Sequence, residues 1–292
     1  AVRFVTDIVY TNLPNAGAYR GYGAPQGLLA LDGALDELAA KLNKDPLEIK
    51  AINSIREGET SPIFRIMGEG REGVPQIAVS CKLGECIETG RAAFDWEKKR
   101  KTTGWERRTA DTVRGVGCAL AMQGSGIAKV DMASATLKMN DDGTFNLLVG
   151  ATDLGTGSDT ILSQIAAEAL GIPVENIIVY SSDTDMTPFD VGAYASSTTY
   201  VSGNAVLDAA NKVKASIRRA AAALFETDEE LVEVTDGCVK NLQNGKALTF
   251  AELCTLCFYG TNQHQICETG SYVGDESPIP FMATFIEVEI DL

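Results

Sequence analysis

Phe145-Asn146-Leu147-Leu148-Val149-Gly150-Ala151-Thr152-Asp153-Leu154-Gly155-Thr156-Gly157-Ser158 is the stretch whose reading decides the fold. Phe145 to Val149 has the apolar, branched character of a strand, and Gly150 to Ser158 is a turn rich in glycine and small residues. Apolar residues at helical spacing then predict a helix from about Asp159 to Leu170, stopped by Gly171-Ile172-Pro173. A further strand over Asn176 to Tyr180 completes a strand–helix–strand unit.

Upstream, strands are expected at Gly115–Met122 and Ala133–Met139, and Asp141-Asp142-Gly143 forms a hairpin turn into the Phe145 strand. Downstream, the small-residue turn from Val191 to Thr199 leads into a long helix over Gly203 to Phe225. A helix near Phe250–Tyr259 and a final strand over Thr284 to Leu292, alternating apolar and charged, follow. The first part opens on a strand-like Arg3-Phe4-Val5-Thr6 and turns at Ala18 to Gln26. Helices are expected from about Gln26 to Leu42 and, opened by Pro46, over Leu47 to Ile55. Residues 58 to 112 are less regular, with one helix near Cys86 to Arg100, and are the candidate connector. The fold class is α+β, with mixed sheets and packed helices. Residues 1–57, 58–112 and 113–292 are the expected units.

Composition narrows the function classes. The 292 residues are 45% hydrophobic and 22% charged, a globular balance. Forty acidic against 25 basic residues give a net charge of −15, which disfavours a nucleic-acid partner. The basic run Lys98-Lys99-Arg100-Lys101 reads as a solvated face. Seven cysteines, an odd number in a chain this long, do not form a disulfide framework and suit a reducing cytoplasm. No apolar run has the roughly 18 residues of a membrane span. Ala1 in place of an initiator Met, and a last strand without a turn behind it, lead us to expect a piece of a longer polypeptide.

The chemistry is constrained by scarcity. His264 is the single histidine, set in a polar stretch, so a histidine-rich zinc site is excluded and a Ser-His-Asp hydrolase disfavoured. Cys254-Thr255-Leu256-Cys257 lies in an apolar helical pattern without a matching second pair, and reads as buried structural thiols. Three turns at helix entrances remain: Gly21-Tyr22-Gly23, Gly155-Thr156-Gly157 and Ala193 to Thr199. Helix starts offer free N–H groups and a positive dipole end, and glycine lets a ligand approach the backbone. Ser196, Ser197, Thr198 and Thr199 add hydroxyls. Neither a dinucleotide fingerprint nor a P-loop is present. The residues alone therefore indicate an anionic cofactor held by several loops, and leave its identity open.

Together the three turns resemble those of the molybdenum hydroxylase family, which includes xanthine dehydrogenase, aldehyde oxidoreductase and nicotinate dehydrogenase. Ala18-Tyr19-Arg20-Gly21-Tyr22-Gly23-Ala24-Pro25-Gln26 looks like that family's Phe-Arg-Gly-Phe-Gly-Gly-Pro-Gln loop. Gly150 to Gly157 looks like its Gly-Gly-Thr-Glu-Met-Gly-Gln-Gly loop, and Ala193 to Val206 like its hydroxyl-rich segment before a long helix. The resemblance covers nearly the whole chain and implies the family's molybdopterin-binding fold, with residues 1–57 ending a first such domain and 113–292 belonging to a second.

It also implies roles. Arg20 is the catalytic candidate, beside the molybdenum, and with Gly21 contacts the cofactor. Tyr22 lines the substrate channel with Gln123 and Ser125. Gly155, Thr156 and Gly157 approach the metal and pterin through backbone N–H groups, and Ala195, Ser196, Ser197 and Thr198 hold the pterin phosphate or dithiolene end. Molybdenum is carried by the cofactor's dithiolene, so no protein side chain need ligate it. The implied cofactor is molybdopterin, as the cytosine dinucleotide. The implied partners are another molybdopterin-binding chain, a [2Fe-2S] subunit, an FAD subunit and a small-molecule substrate.

Three departures qualify this. Thr156 stands where the family commonly has Gln, and Gly21 where the carbon monoxide dehydrogenase branch has a catalytic Cys. The family's general base, a Glu in a Gly-Glu-Pro stretch, has no counterpart in these 292 residues, so other polypeptide is expected to supply it. The implied activity is hydroxylation of an N-heteroaromatic compound, purine or pyridine in type, with water as oxygen source. Aldehyde oxidoreductase, hydroxybenzoyl-CoA reductase or a non-catalytic cofactor-binding scaffold are the alternatives.

Overall fold

Alternation along a single strand explains the main core. In the computed structural model, which describes residues 3, 5–15, 17, 19–21, 23–66, 72–261 and 263–292, the helices are α1 (Ala24–Lys41), α2 (Pro46–Ile52), α3 (Leu83–Ala93), α4 (Trp96–Thr102), α5 (Ser158–Leu170), α6 (Gly203–Phe225) and α7 (Phe250–Tyr259). The strands are β1 (Thr112–Met122), β2 (Met132–Met139), β3 (Phe145–Val149), β4 (Ile177–Ser181), β5 (Val232–Thr235), β6 (Cys238–Asn241), β7 (Ala247–Thr249), β8 (Cys267–Val273) and β9 (Phe281–Asp291). On β2, Ala133, Ala135, Leu137 and Met139 face inward and are fully buried, while Ser134, Thr136 and Lys138 face outward.

Four strands form a mixed sheet in the order β4-β3-β2-β8. The β2–β3 hairpin and the β2–β8 pair are antiparallel. β3 and β4 are parallel, which requires a crossover, and α5 supplies it. α5 and α6 cover the apolar face, where Phe145, Leu147 and Val149 meet Leu162, Ala166, Ala209 and Val213. Burying each large side chain there contributes roughly 2 kcal/mol. α6 lies directly on β8: a Cβ at Gly270 would stand 2.3 Å from the Ala209 nitrogen and 2.4 Å from the Ala205 oxygen. Only glycine permits that approach. The opposite face is mixed: hydroxyl rungs Ser134–Ser271 and Thr136–Thr269, each at 2.8 Å, run beside the half-exposed Ile178, Tyr180 and Val273.

A three-stranded sheet, β5-β6-β7, packs near the end of α6, with Asp236-Gly237 in left-handed conformation closing its first hairpin. α7 follows with a capping box between Thr249 and Glu252. Cys254 and Cys257 are buried in its inner face; burial, and for Cys254 its cysteine neighbour, pushes the Cys254 thiol up to about 12 and raises that of Cys257. The structural role expected of this pair agrees with its burial.

β1 and β9 form a separate antiparallel ribbon of eleven residue pairs, from Thr112↔Asp291 to Met122↔Phe281. One face holds a second core of Leu47, Leu83, Ile87, Trp96 and Cys118, with Phe285 against Trp96 and Phe94 at ring-centroid distances of 5.7 Å. Lys50, 3% exposed, ties α1 to this ribbon. Its Nζ lies 3.2 Å from Asp32 and 2.9 Å from Asp36 and donates to the Cys118 carbonyl at 2.5 Å.

Three expectations need correction. The single helix near Cys86 to Arg100 is two, because Asp95 turns left-handed (φ 57°) between α3 and α4 and delivers Trp96 to the core. The basic run is more than a solvated face: Lys99 pairs with Glu287 at 2.7 Å, and Arg100 stacks on Trp96 and approaches Asp45. The strand expected at Arg3–Thr6 is absent among the described residues, where Val5, Ile8, Val9 and Tyr10 stand exposed with no ladder partner; Phe4 lies outside those residues. Among the described residues, no helix is long and apolar enough to cross a membrane.

Candidate functional site

Strand direction gathers the candidate loops at one end of the four-stranded sheet. Met132, at the start of β2, pairs with Val273 at the end of β8; Ala135 pairs with Val149 at the end of β3; Val149 pairs with Ser181 at the end of β4. Residues 123–131, 150–157, 182–197 and 274–280 therefore all leave or enter the sheet at the carboxyl ends of the parallel strands. In sheets with parallel strands this is the usual place for a ligand.

Hydrogen bonds join these loops in series. Ser182 Oγ donates to the Ala151 carbonyl at 3.1 Å, linking the loops after β3 and β4. Gly126 N–H donates to the Ala195 carbonyl at 2.7 Å. Asp131, 1% exposed, accepts from the Tyr194 hydroxyl at 2.9 Å on one oxygen and from Ile127 N–H at 2.8 Å on the other. Ser125 N–H donates to Ser277 Oγ at 3.1 Å, and Gln123 N–H to the Pro280 carbonyl at 3.3 Å. The predicted substrate residues Gln123 and Ser125 thus stand beside the segment holding Ala195, Ser196 and Ser197.

That segment is strained. Ala195 and Ser196 are consecutive left-handed residues, at φ 50° and 57°, a conformation that costs L side chains about 1 kcal/mol or more each. Ser197, buried, turns back with its N–H and Oγ both on the Tyr194 carbonyl. A π-helical turn, Thr198–Ser202, precedes α6. Strained backbone and π turns cluster at functional positions. Asp190 braces the loop, accepting from Gly192 N–H at 2.8 Å and Ser202 Oγ at 2.5 Å.

The Gly155-Thr156-Gly157 turn is organised differently. One Asp153 carboxylate oxygen accepts the N–H groups of Gly155, Thr156 and Gly157 at 2.8, 2.9 and 3.1 Å. The other receives the Asp159 N–H at 3.4 Å. Burial raises the Asp153 carboxyl pKa, but the backbone bonds outweigh it and leave it below the ordinary aspartate range. In this structure the turn's donors are therefore given to the chain's own carboxylate. Just behind them, Ser158 Oγ and Asp159 Oδ1 are buried without a hydrogen-bond partner. An orphaned hydroxyl and carboxylate oxygen at a helix start are what a polar ligand would satisfy. A Cβ at Gly155, Gly157 or Gly192 would meet nothing within 4 Å, so a ligand has room beside all three. The Ser158 hydroxyl can donate to an oxygen-rich cofactor, whereas the Asp159 oxygen calls for a donor on that cofactor. The described residues contain no cluster of His, Cys, Asp and Glu able to hold a bare metal ion.

Arg20 stands apart. It is exposed in the turn before α1 and makes no hydrogen bond or ion pair to another described residue. Gly21, at φ 95°, accepts from Ala24 N–H at 2.9 Å, and a Cβ there would meet the Pro25 ring at 2.7 Å. Tyr22 lies outside the described residues. The structure thus brings together Gln123, Ser125 and Ala195–Thr198, places Gly155–Gly157 at the same sheet end, and leaves Arg20 and Gly21 on the α1 side. Sequence reasoning missed Asp131, Asp153, Asp190, Tyr194 and Ser277. An Asp-x-Gly pattern marks two of them, Asp153-Leu154-Gly155 and Asp190-Val191-Gly192, since aspartate readily accepts the N–H two residues on.

The chain is similar to known proteins in sequence and in fold. Profiles of the molybdopterin cofactor-binding domain match residues 1–54 and 89–292. A xanthine dehydrogenase molybdenum-binding subunit of Escherichia coli O157:H7 is 36% identical over 300 residues, covering all of this chain and 38% of that protein. The chain therefore spans well under half the length of such relatives. Among solved structures, quinoline 2-oxidoreductase of Pseudomonas putida 86 shares the fold at TM-score 0.79 and 23% identity, over 94% of this chain and 36% of that one. The aldehyde oxidoreductase of Desulfovibrio desulfuricans ATCC 27774 is similar at TM-score 0.67 and 28% identity, over 94% and 27% of the two chains.

Proposed function

Because the chain belongs to the molybdopterin-binding family of xanthine dehydrogenases and aldehyde oxidoreductases, we propose that it is the cofactor-cradling part of an assembly that hydroxylates an N-heteroaromatic substrate, purine or pyridine in type, with water as oxygen source. The observation that carries this reading is the convergence of four hydrogen-bonded loops at one sheet end. When bound, the cofactor supplies the redox chemistry, and the protein supplies binding, orientation and electrostatics.

This chain's residues divide the work. Ser158, Ser196 and Thr198, with the backbone at Ala195, would hold the anionic part of the pterin, as the cytosine dinucleotide. Ser197, both of whose donors go to the Tyr194 carbonyl, would take part by shaping that turn. Gly155, Thr156 and Gly157 leave open space for its approach, and Asp153 keeps that turn in shape until the ligand competes for its N–H groups. Gln123 and Ser125 would border the substrate, with Arg20, Gly21 and Tyr22 brought in from the α1 side. We assign residues 1–57 to the end of a first cofactor-binding domain, 58–112 to a connector and 113–292 to a second domain; separate profile matches at 1–54 and 89–292 favour a two-part division. Another molybdopterin-binding portion, an iron–sulfur subunit and an FAD subunit complete the assembly.

The test is purification of the assembled enzyme, with molybdenum and pterin nucleotide quantified and purines, pyridines and aldehydes offered as substrates. Molybdenum near one per assembly with turnover of a heteroaromatic compound is expected. An assembly without molybdenum sinks the proposal, and turnover of aldehydes alone replaces its substrate half.

A further inference from the structure

Ser277 is 6% exposed, and its polar groups are all engaged with segments other than its own. Its Oγ accepts from Ser125 N–H at 3.1 Å and donates to the Gly126 carbonyl at 2.8 Å. Its backbone N–H donates to Gln76 Oε1 at 3.1 Å, and its carbonyl accepts from Gln76 Nε2 at 2.9 Å. The Gln76 amide thus pairs with Ser277 as a neighbouring strand would. Gly126, held by the serine hydroxyl at its carbonyl, passes its own N–H to Ala195. The Ser277 hydroxyl therefore joins the loop after β8 to the Gln123–Gly126 loop, its backbone joins the stretch before α3, and Gly126 passes the linkage on to the strained turn at Ala195.

The loop carrying Ser277 is stiff. Pro278 and Pro280 fix their own backbone angles, and a Cβ at Gly274 would lie 2.8 Å from the Tyr200 ring. Ser277 is therefore a fixed post against which the softer loop rests. Gly126 is left-handed at φ 78°, and a Cβ there would meet Val201 at 3.3 Å, so this loop has little room to repack if its hydroxyl partner is lost. Two backbone groups, the Ser125 N–H and the Gly126 carbonyl, would then be left without their partner.

We propose that Ser277, clamped by Gln76, is a positioning residue that sets the Gln123–Ser125 wall and thereby governs substrate affinity rather than the chemical step. This rests on the substrate-lining role proposed for Gln123 and Ser125. Ser277 acts through the loop and touches neither substrate nor cofactor.

The experiment compares Ser277→Ala, Ser277→Thr and Gln76→Ala in the assembled holoenzyme. Three quantities are measured: hydrogen exchange over residues 123–127, KM and kcat, and molybdenum per protein. In Ser277→Ala, exchange at the Ser125 and Gly126 amides rises and KM increases about tenfold, with kcat and molybdenum content within about twofold of the parent. Ser277→Thr, which keeps the hydroxyl, restores both readouts, and Gln76→Ala falls between. Unchanged KM in Ser277→Ala overturns the proposal, as does a fall in kcat that tracks molybdenum loss at constant KM, which marks a merely structural residue. Unchanged exchange overturns the clamp itself, even in an active enzyme. A parent assembly that lacks molybdenum and turnover overturns the functional reading and the substrate role with it, while raised exchange in Ser277→Ala would still establish the clamp.

Discussion

The four-stranded sheet and the β1–β9 ribbon are both antiparallel in large part, yet they close their apolar surfaces in different ways. The sheet buries one face under α5 and α6, its own neighbours in sequence, and carries on the other hydroxyl rungs beside the half-exposed Ile178, Tyr180 and Val273. The ribbon buries Phe285 and Cys118 against α2, α3 and α4, while Met282, Ile286, Val288 and Ile290 stand about half exposed on its other face. The sheet's core is thus closed by its own sequence neighbours, and the loops of the candidate site hang from that part. The α1 side, with Arg20, is joined to the ribbon by a few contacts centred on Lys50. The α1 side is therefore tied by fewer contacts than the loops of the four-stranded sheet.

Leu147→Ala would break the sheet's side of this contrast most severely. Leu147 is fully buried in the main core, and its truncation is expected to cost about 2–5 kcal/mol in denaturant unfolding of this chain. A loss under about 1 kcal/mol would show a loosely packed core. Lys50→Met comes next. It strands Asp32, Asp36 and the Cys118 carbonyl, and breaking a buried pair costs about 3–5 kcal/mol; with Asp36 half exposed to solvent, about 2 kcal/mol is expected. Restoration of stability by adding Asp32→Asn and Asp36→Asn would identify charge as the cause. Unchanged stability in Lys50→Met alone would remove the tie from the account.

Ile286→Ser, on the ribbon's open face at 54% exposure, should change stability by no more than about 0.5 kcal/mol. A large loss would mean that something covers this face in solution, detectable by sedimentation as self-association. The most local effect concerns Asp153. Its carboxyl is held below the ordinary aspartate range, so the turn's stabilisation is fully present above about pH 3.9 and is lost as pH falls through the lowered folded value. Amide shifts of Gly155 and Thr156, followed by NMR from about pH 6 to pH 2, should titrate below the ordinary aspartate midpoint. A midpoint at or above it would remove Asp153 from the turn, and Asp153→Asn should abolish the transition.

Local periodicity made most elements legible. The β3–α5–β4 unit, α6 and α7 were expected within a residue or two of where they lie, because each has a strong apolar period and a glycine, proline or capping stop. Gly171 is indeed left-handed at the end of α5. The break at Asp95 was not legible, since Phe94 and Trp96 fit one helix pattern and only the core fixes where the Trp96 ring must go. Arg3–Thr6 had the composition of a strand without the partner that makes one.

What the sequence by itself determined is the set of small-residue turns, their order and their places at strand ends and helix starts. These depend on glycine's freedom and on short-range periodicity, which the chain carries locally. Tertiary structure alone decided which turns meet. Pairing of Met132 with Val273, 141 positions apart in the chain, brings the Ser277 loop to Gln123–Gly126, and the parallel β3–β4 pair sets Gly150–Gly157 beside the Ala195 loop. Strand direction and register are properties of distant partners. No local pattern could have shown that one buried serine would join its own loop to Gln123–Gly126 and to Gln76.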